Sequence, residues 1–189
     1  MTTGFDLSAL TLGDVSVTGK GAKACPFFSH NQAAAATLDP MPVCYEPSAY
    51  GDAEATRVNI VFRPSQAILE AMEALDEWII QAATKDSLKF FGKAKTEDQI
   101  RESYQPLVKT SDKYPAQIKA KLNISGPATV RCWDAEKKPR EQPEAWRGAT
   151  VKPRLWLRSL YFMGAGVFGA TMECTDVQIC EEAGGECPF

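Results

Sequence analysis

Thr150-Val151-Lys152-Pro153-Arg154-Leu155-Trp156-Leu157-Arg158 sorts its side chains by parity. Successive residues of a strand point to opposite faces, so Val151, Leu155 and Leu157 turn inward together. Lys152, Arg154, Trp156 and Arg158 then share the outer face. The same sorting recurs upstream. In residues 116–124, Ile118, Leu122 and Ile124 form the inward row, while Gln117, Lys119, Lys121 and Asn123 face out. In residues 129–134, Val130 and Cys132 face in, and Arg131 and Trp133 face out. Three strands thus predict one sheet, with aliphatics on its core side and cations and indoles on the other.

Working outward from these strands, residues 56–62 alternate with Val58, Ile60 and Phe62 on one face, and roughly 167–179 read as another strand. Ser125-Gly126-Pro127 and the long charged stretch 135–148, with Lys137, Lys138, Arg140 and Trp146, separate them as turns. Several short strands so divided predict a mainly β chain, a sandwich or a small barrel. Two helices interrupt it. Pro64 opens the first, over about 65–84, with Ile68, Leu69, Met72, Leu75, Ile79 and Ile80 at helical spacing. Its other face, Glu70, Glu73, Asp76 and Glu77, is acidic, which suits a helix that covers the core. Thr96-Glu97-Asp98-Gln99 starts a short second helix over about 96–103. Residues 1–55 form an N-terminal extension with early strands at 14–19 and 43–45, while Ala33 to Ala36 reads as a loop or a helical turn. The core spans 56–179, and 180–189 form a flexible acidic tail.

The net charge of −3 hides a segregation. Residues 85–158 hold 17 Lys and Arg against 9 Asp and Glu, a net of +8, and the remainder carries −11. Such asymmetry marks a polyanion-binding region beside acidic segments. No apolar run approaches the length of a membrane span, and the first residues lack the pattern of a signal peptide. An intracellular protein with no membrane association is expected. The six cysteines contain no Cys-x-x-Cys, and His30 is the single histidine; no metal or other cofactor is expected.

Cations mixed with indoles on one surface fit single-stranded nucleic acid. Lysine and arginine neutralise phosphates and release counterions, which makes affinity salt-dependent. An exposed aromatic ring stacks on any base, worth about 1–3 kcal/mol per base. Trp133 and Trp156, each beside arginines, are the principal stacking candidates. Tyr104 and Trp146 are secondary ones, and Phe90 and Phe91, between Lys89 and Lys93, form a second patch. Lys109, Lys119, Lys121, Arg131, Lys152, Arg154 and Arg158 are the phosphate candidates. The competing reading covers the indoles with a loop or helix and stacks the arginines on them structurally.

The chain closes Gly184-Gly185-Glu186-Cys187-Pro188-Phe189 after a stretch from Glu173 without a basic residue. An acidic end finishing in an aromatic residue and a free carboxylate is a compact ligand for an apolar, basic pocket. Glu181, Glu182, Glu186, Pro188 and Phe189 are therefore the partner-binding candidates. With this tail, the stretches Tyr104-Gln105-Pro106-Leu107-Val108-Lys109, Ile118-Lys119-Ala120-Lys121-Leu122, Val130-Arg131-Cys132-Trp133-Asp134 and Phe168-Gly169-Ala170-Thr171 make the chain resemble single-stranded DNA-binding proteins of the phage and large-DNA-virus type. The Pro-Phe end is similar to that of the bacterial proteins. The resemblance implies an OB-fold, a single five-stranded barrel with the helix at about 65–84 inserted. It implies coating of transient single strands in DNA replication, recombination and repair, inside the cell or the infected host cell. It further implies recruitment of polymerase, helicase or primase through the tail, and a homo-oligomer.

Catalysis finds little support. His30 lies near Cys25, yet no orienting motif accompanies the pair, and no glycine-rich phosphate loop or His-Glu-x-x-His helix is present. The alternatives to DNA binding are a non-enzymatic interaction or viral structural module using the acidic helix and tail, or an RNA-binding OB-fold protein.

Overall fold

The computed structural model describes residues 4–184 other than 18, 20, 50 and 165. Among them, six strands come from the N-terminal part: β1 (Leu10–Leu12), β2 (Ser16–Val17), β3 (Lys23–Ser29), β4 (Gln32–Ala33), β5 (Ala35–Thr37) and β6 (Met41–Pro42). β7 (Arg57–Phe62) precedes three helices, α1 (Gln66–Lys85), α2 (Ser87–Phe91) and α3 (Glu97–Ser103). The rest is β: β8 (Tyr104–Gln105), β9 (Val108–Lys109), β10 (Gln117–Asn123), β11 (Arg131–Trp133), β12 (Pro139–Arg140), β13 (Thr150–Phe162) and β14 (Phe168–Glu181).

The two expected helices form where their caps dictate. Ser65 adopts extended backbone and its side chain accepts from Ile68 N, which starts α1. Ile68, Met72, Leu75, Ile79, Ile80 and Ala83 bury one stripe against the sheet, each large aliphatic worth about 1.5–3 kcal/mol. α3 opens with a capping box: Gln99 N donates to Thr96 Oγ1, and Thr96 N donates back to the Gln99 side chain. The short α2 was not foreseen; Gly92, at φ 71°, ends it in the left-handed region.

Asp76 departs from the expected acidic outer face of α1. It is buried, accepts from Tyr104 Oη at 2.5 Å and from Leu107 N at 3.0 Å, and reaches Val108 N at 3.5 Å. Burial raises its carboxyl above the ordinary aspartate value, against the lowering pull of these donors. This single carboxyl ties the turn between β8 and β9 to α1.

The sheet is mixed and its main path runs β1-β3-β13-β14-β10-β7. β14 is its axis: β13 joins it antiparallel, whereas β10, β11 and β8 join it parallel. This path is open, and fourteen strands take part where a closed five-stranded barrel was expected. The outer edge of β7 is met by single bridges, Val43 to Phe62 and Ser48 to Asn59. Ala33 to Ala36 contributes to β4 and β5 instead of a loop or helical turn, because β5 gains a partner in β13 through Ala35, Ala36 and Thr37. Tertiary pairing overrides alanine's helical preference there. Residues 43–45 supply only the Val43 bridge, and Ile124 lies past the end of β10 and is exposed. One core joins the inward rows of β7, β10 and β13 to α1, α3 and the N-terminal strands. No helix among the described residues is long and apolar enough to cross a membrane.

Candidate nucleic-acid interface

The outward rows named from the sequence lie on adjacent strands. Lys152, Arg154 and Trp156 of β13 stand opposite Gln178, Asp176 and Glu173 of β14. From the other side of β14, Arg131 and Trp133 of β11 are level with Asp176 and Gln178. Lys121 of β10 is level with Glu173, and Lys119 lies two residues beyond. The core residues between them, Val151, Leu155, Leu157, Ile118, Leu122 and Cys132, are all buried. Two hollows open along this surface. One of about 400 Å³ is lined by Thr37, Arg131, Trp133, Lys137, Lys152 and Arg154, with Asp176 and Gln178. The other, about 390 Å³, includes Asn59, Lys119, Lys121 and Tyr161.

The surface carries its own counter-ions, Glu173 and Asp176, which the sequence places in the strand at 167–179 without assigning them a role on this face. Glu173 is only 7% exposed. Its Oε2 meets Arg57 at 3.2 Å and Arg158 at 3.7 Å, and its Oε1 accepts from Asn123 at 3.2 Å. Asp176 receives Arg131 through both oxygens, at 2.8 and 2.9 Å, along with Trp133 Nε1 at 3.3 Å and Thr175 Oγ1 at 3.0 Å. Partial burial pushes the Asp176 carboxyl up, but Arg131, Thr175 and Trp133 outweigh it and hold the pKa below the ordinary value. The signal that these two acids belong to a strand was the run 167–179 itself.

The two indoles are half-buried. Asp176 fixes the edge of Trp133. The Arg158 guanidinium lies 3.9 Å from the Trp156 ring centroid, a cation–π contact, and Trp156 Nε1 is buried with no hydrogen-bond partner among the described residues. Lys119, Lys121, Lys152 and Arg154 form no ion pair among the described residues. Burial above all, then the neighbouring charges of Lys119 and Arg57, push the Lys121 ammonium below its ordinary value.

Other candidates are placed elsewhere. Tyr104 is buried with its hydroxyl on Asp76, and Trp146 is 5% exposed, so neither offers a stacking face. Phe90 is also buried, its ring stacked 5.7 Å from that of Phe162. Phe91 is half-buried, edge-on to Phe162 and Phe168, with Lys95 Nζ 4.2 Å above its ring. Phe90 completes the core under α2, and both rings line a hollow of about 300 Å³ with Lys23, Phe162 and Met163. Lys109 is exposed and lines a small hollow with Lys119 and Tyr161, continuing the main face. Cys25 is buried and His30 reaches Asp6 instead, so the pair considered for catalysis is not made. Glu181 ends β14 and accepts from Thr150 Oγ1 at 3.2 Å, and Glu182 pairs with Arg140. Glu186, Pro188 and Phe189 lie outside the described residues.

No protein-family model and no curated protein sequence matches this chain. Its fold matches solved structures. A C-terminal truncation of the single-stranded DNA-binding protein from bacteriophage Enc34 superposes with a TM-score of 0.53 at 13% identity, covering 95% of this chain and 98% of that one. The same phage protein in complex with single-stranded DNA gives 0.51 at 13% identity, with 95% of each chain covered. gp2.5, a single-stranded DNA-binding protein encoded by bacteriophage T7, gives 0.52 at 13% identity over 82% of this chain and 97% of that one. The chain therefore shares the fold of these phage proteins.

Proposed function

We propose that this chain is a sequence-independent, non-enzymatic single-stranded DNA-binding protein of the phage type. One observation carries the reading: Lys119, Lys121, Arg158, Trp156, Arg154, Lys152, Arg131 and Trp133 lie on three strands, β10, β13 and β11, that all pair with β14. Glu173 and Asp176 are the only acids among the strand positions in register with them. The phage proteins of the same fold include one in complex with single-stranded DNA.

Lys119, Lys121, Lys152 and Arg154 hold phosphates, and Trp133 offers its ring to a base. Arg158 covers Trp156 in the free protein and gives way to a base, or sandwiches one. Because every base has a π-face and the phosphates repeat, this surface reads no sequence. Residues 41–44 support a barrel of OB type. Met41 and Pro42 pair with β13, while Cys44 N donates to Val61 O at 2.9 Å and Arg63 N to Pro42 O at 3.0 Å, joining the far edge of β7. The strand-coating role belongs to DNA replication and recombination, and the end of the chain, through Pro188 and Phe189, recruits replication proteins. Charge reversal tests the face: Lys152→Glu with Arg154→Glu abolishes the anisotropy change of a labelled dT oligomer. Unaltered binding by the folded double variant contradicts the assignment.

A further inference from the structure

Beyond Arg158, β13 changes the side it shows. Leu157 pairs with Met172, but Ser159 pairs with Thr171, so Arg158 is an extra residue in the ladder. Such a bulge reverses the parity that follows it. Leu160 therefore turns into the core, fully buried, and Tyr161 joins the outward face that Trp156 occupies. Strict alternation from Trp156 assigns Tyr161 to the core, and this is how sequence reading passed over it.

Directly across the ladder from Tyr161 stands Gly169. A Cβ built there would lie 2.6 Å from Tyr161 Oη and 2.9 Å from its Cζ. The phenol therefore lies down over the β14 backbone in the space that only glycine leaves free. The ring is half-buried and keeps part of its surface open. It borders the 390 Å³ cleft where β10 and β14 part, shared with Asn59, Lys119, Lys121 and Met163. It also borders the smaller hollow with Lys109 and Lys119. Three lysines, Lys109, Lys119 and Lys121, thus line the hollows that this aromatic borders. Met163, 60% exposed in the turn after β13, adds a polarizable thioether at the mouth. Asn59 Oδ1, in the same cleft, is buried with no hydrogen-bond partner among the described residues.

We propose that Tyr161 is a base-stacking platform, holding one unpaired nucleobase in the cleft between β10 and β14. Lys109, Lys119 and Lys121 hold the flanking phosphates. The inference rests on the DNA-binding reading and extends the bound strand past Trp156, so that Trp133, Trp156 and Tyr161 make three stacking positions along one track.

The test titrates the full chain with labelled dT oligomers and compares Tyr161→Phe with Tyr161→Leu, alongside Arg154→Ala. Leucine fills the space over Gly169 without a π-face. Tyr161→Leu is expected to weaken binding about 5- to 150-fold, the worth of one stacked base, with the salt dependence unchanged. Tyr161→Phe should keep wild-type affinity. Photocrosslinking of 5-iododeoxyuridine oligomers to the unaltered protein should yield a Tyr161 peptide, whatever the stability of the variants. Wild-type affinity in Tyr161→Leu while Arg154→Ala is weakened, or crosslinks confined to Trp133 and Trp156, overturns the platform alone. No binding by the unaltered protein removes the parent function and the platform with it.

Discussion

Glu173→Gln preserves the shape of a side chain that lies nearly buried in the middle of a cationic surface, and removes only its charge. In the wild type this carboxylate holds Arg57 at 3.2 Å and Arg158 at 3.7 Å. A DNA phosphate must compete with it for both guanidinium groups. The glutamine amide oxygen can still accept from Asn123, but its NH2 group takes the place of the oxygen that held Arg57 and Arg158, so the Arg57 hydrogen bond is lost and stability falls by about 1.5–3 kcal/mol. The two arginines become free for phosphate. On a single strand each added phosphate contact steepens the dependence of log affinity on log salt by about 0.7, so two steepen it by about 1.4. Each tenfold change in salt then acts on affinity about 25-fold more strongly than in the wild type. Anisotropy titrations of a dT oligomer across a salt series read this slope, and thermal melts check the fold. Higher affinity at low salt with a steeper slope is expected. An unchanged or shallower slope in a folded variant refutes the role of Glu173 as an internal competitor for DNA.

Arg154→Ala should lower the salt slope by about 0.7 while moving stability by less than about 0.5 kcal/mol, because its side chain is exposed. Trp156→Ala should weaken binding by about 1–3 kcal/mol and also lower the thermal midpoint, since the half-buried ring carries Arg158; loss of stability without loss of binding reassigns it to the core. Asp76 has a folded pKa raised above 3.8, so its contribution to stability is greatest below that value and is lost as pH rises through the raised one. The stability of Asp76→Asn relative to wild type should therefore improve with pH across the weakly acidic range and then level off, measured by urea unfolding; a constant difference contradicts this. Deleting residues 183–189 spares β14 and should keep or raise DNA affinity while abolishing partner capture; a fall in affinity shows that the tail does not compete with DNA.

What was legible in the sequence follows from how local the signals are. α1 and α3 carry their own spacing and caps, Ser65 and Thr96, within one or two turns. β10 and β13 carry strict alternation over enough residues to fix a face. β3 does not, because Pro26 interrupts it, although Cys25 and Phe27 are buried. Tyr104 looks exposable until Asp76, distant in sequence, supplies a buried acceptor for its hydroxyl. Glu173 and Asp176 fall in the expected strand at 167–179, but their part as counter-ions is not legible because their arginine partners, Arg57, Arg131 and Arg158, come from other strands. Tyr161 is hidden by the bulge at Arg158, since a strand's parity is readable only while its ladder is regular. The face was therefore predictable residue by residue, and its counter-ions and its last aromatic were not.

In the proposed function, half-buried indoles and cations without an ion pair among the described residues bind single-stranded DNA through bases and backbone together. Titrating the protein with dT oligomers of graded length, while following tryptophan fluorescence and varying salt, tests it most directly. Quenching is expected to saturate, with binding that tightens with length up to a fixed site size and weakens steeply as salt rises. Unquenched fluorescence and no binding at low salt contradict it.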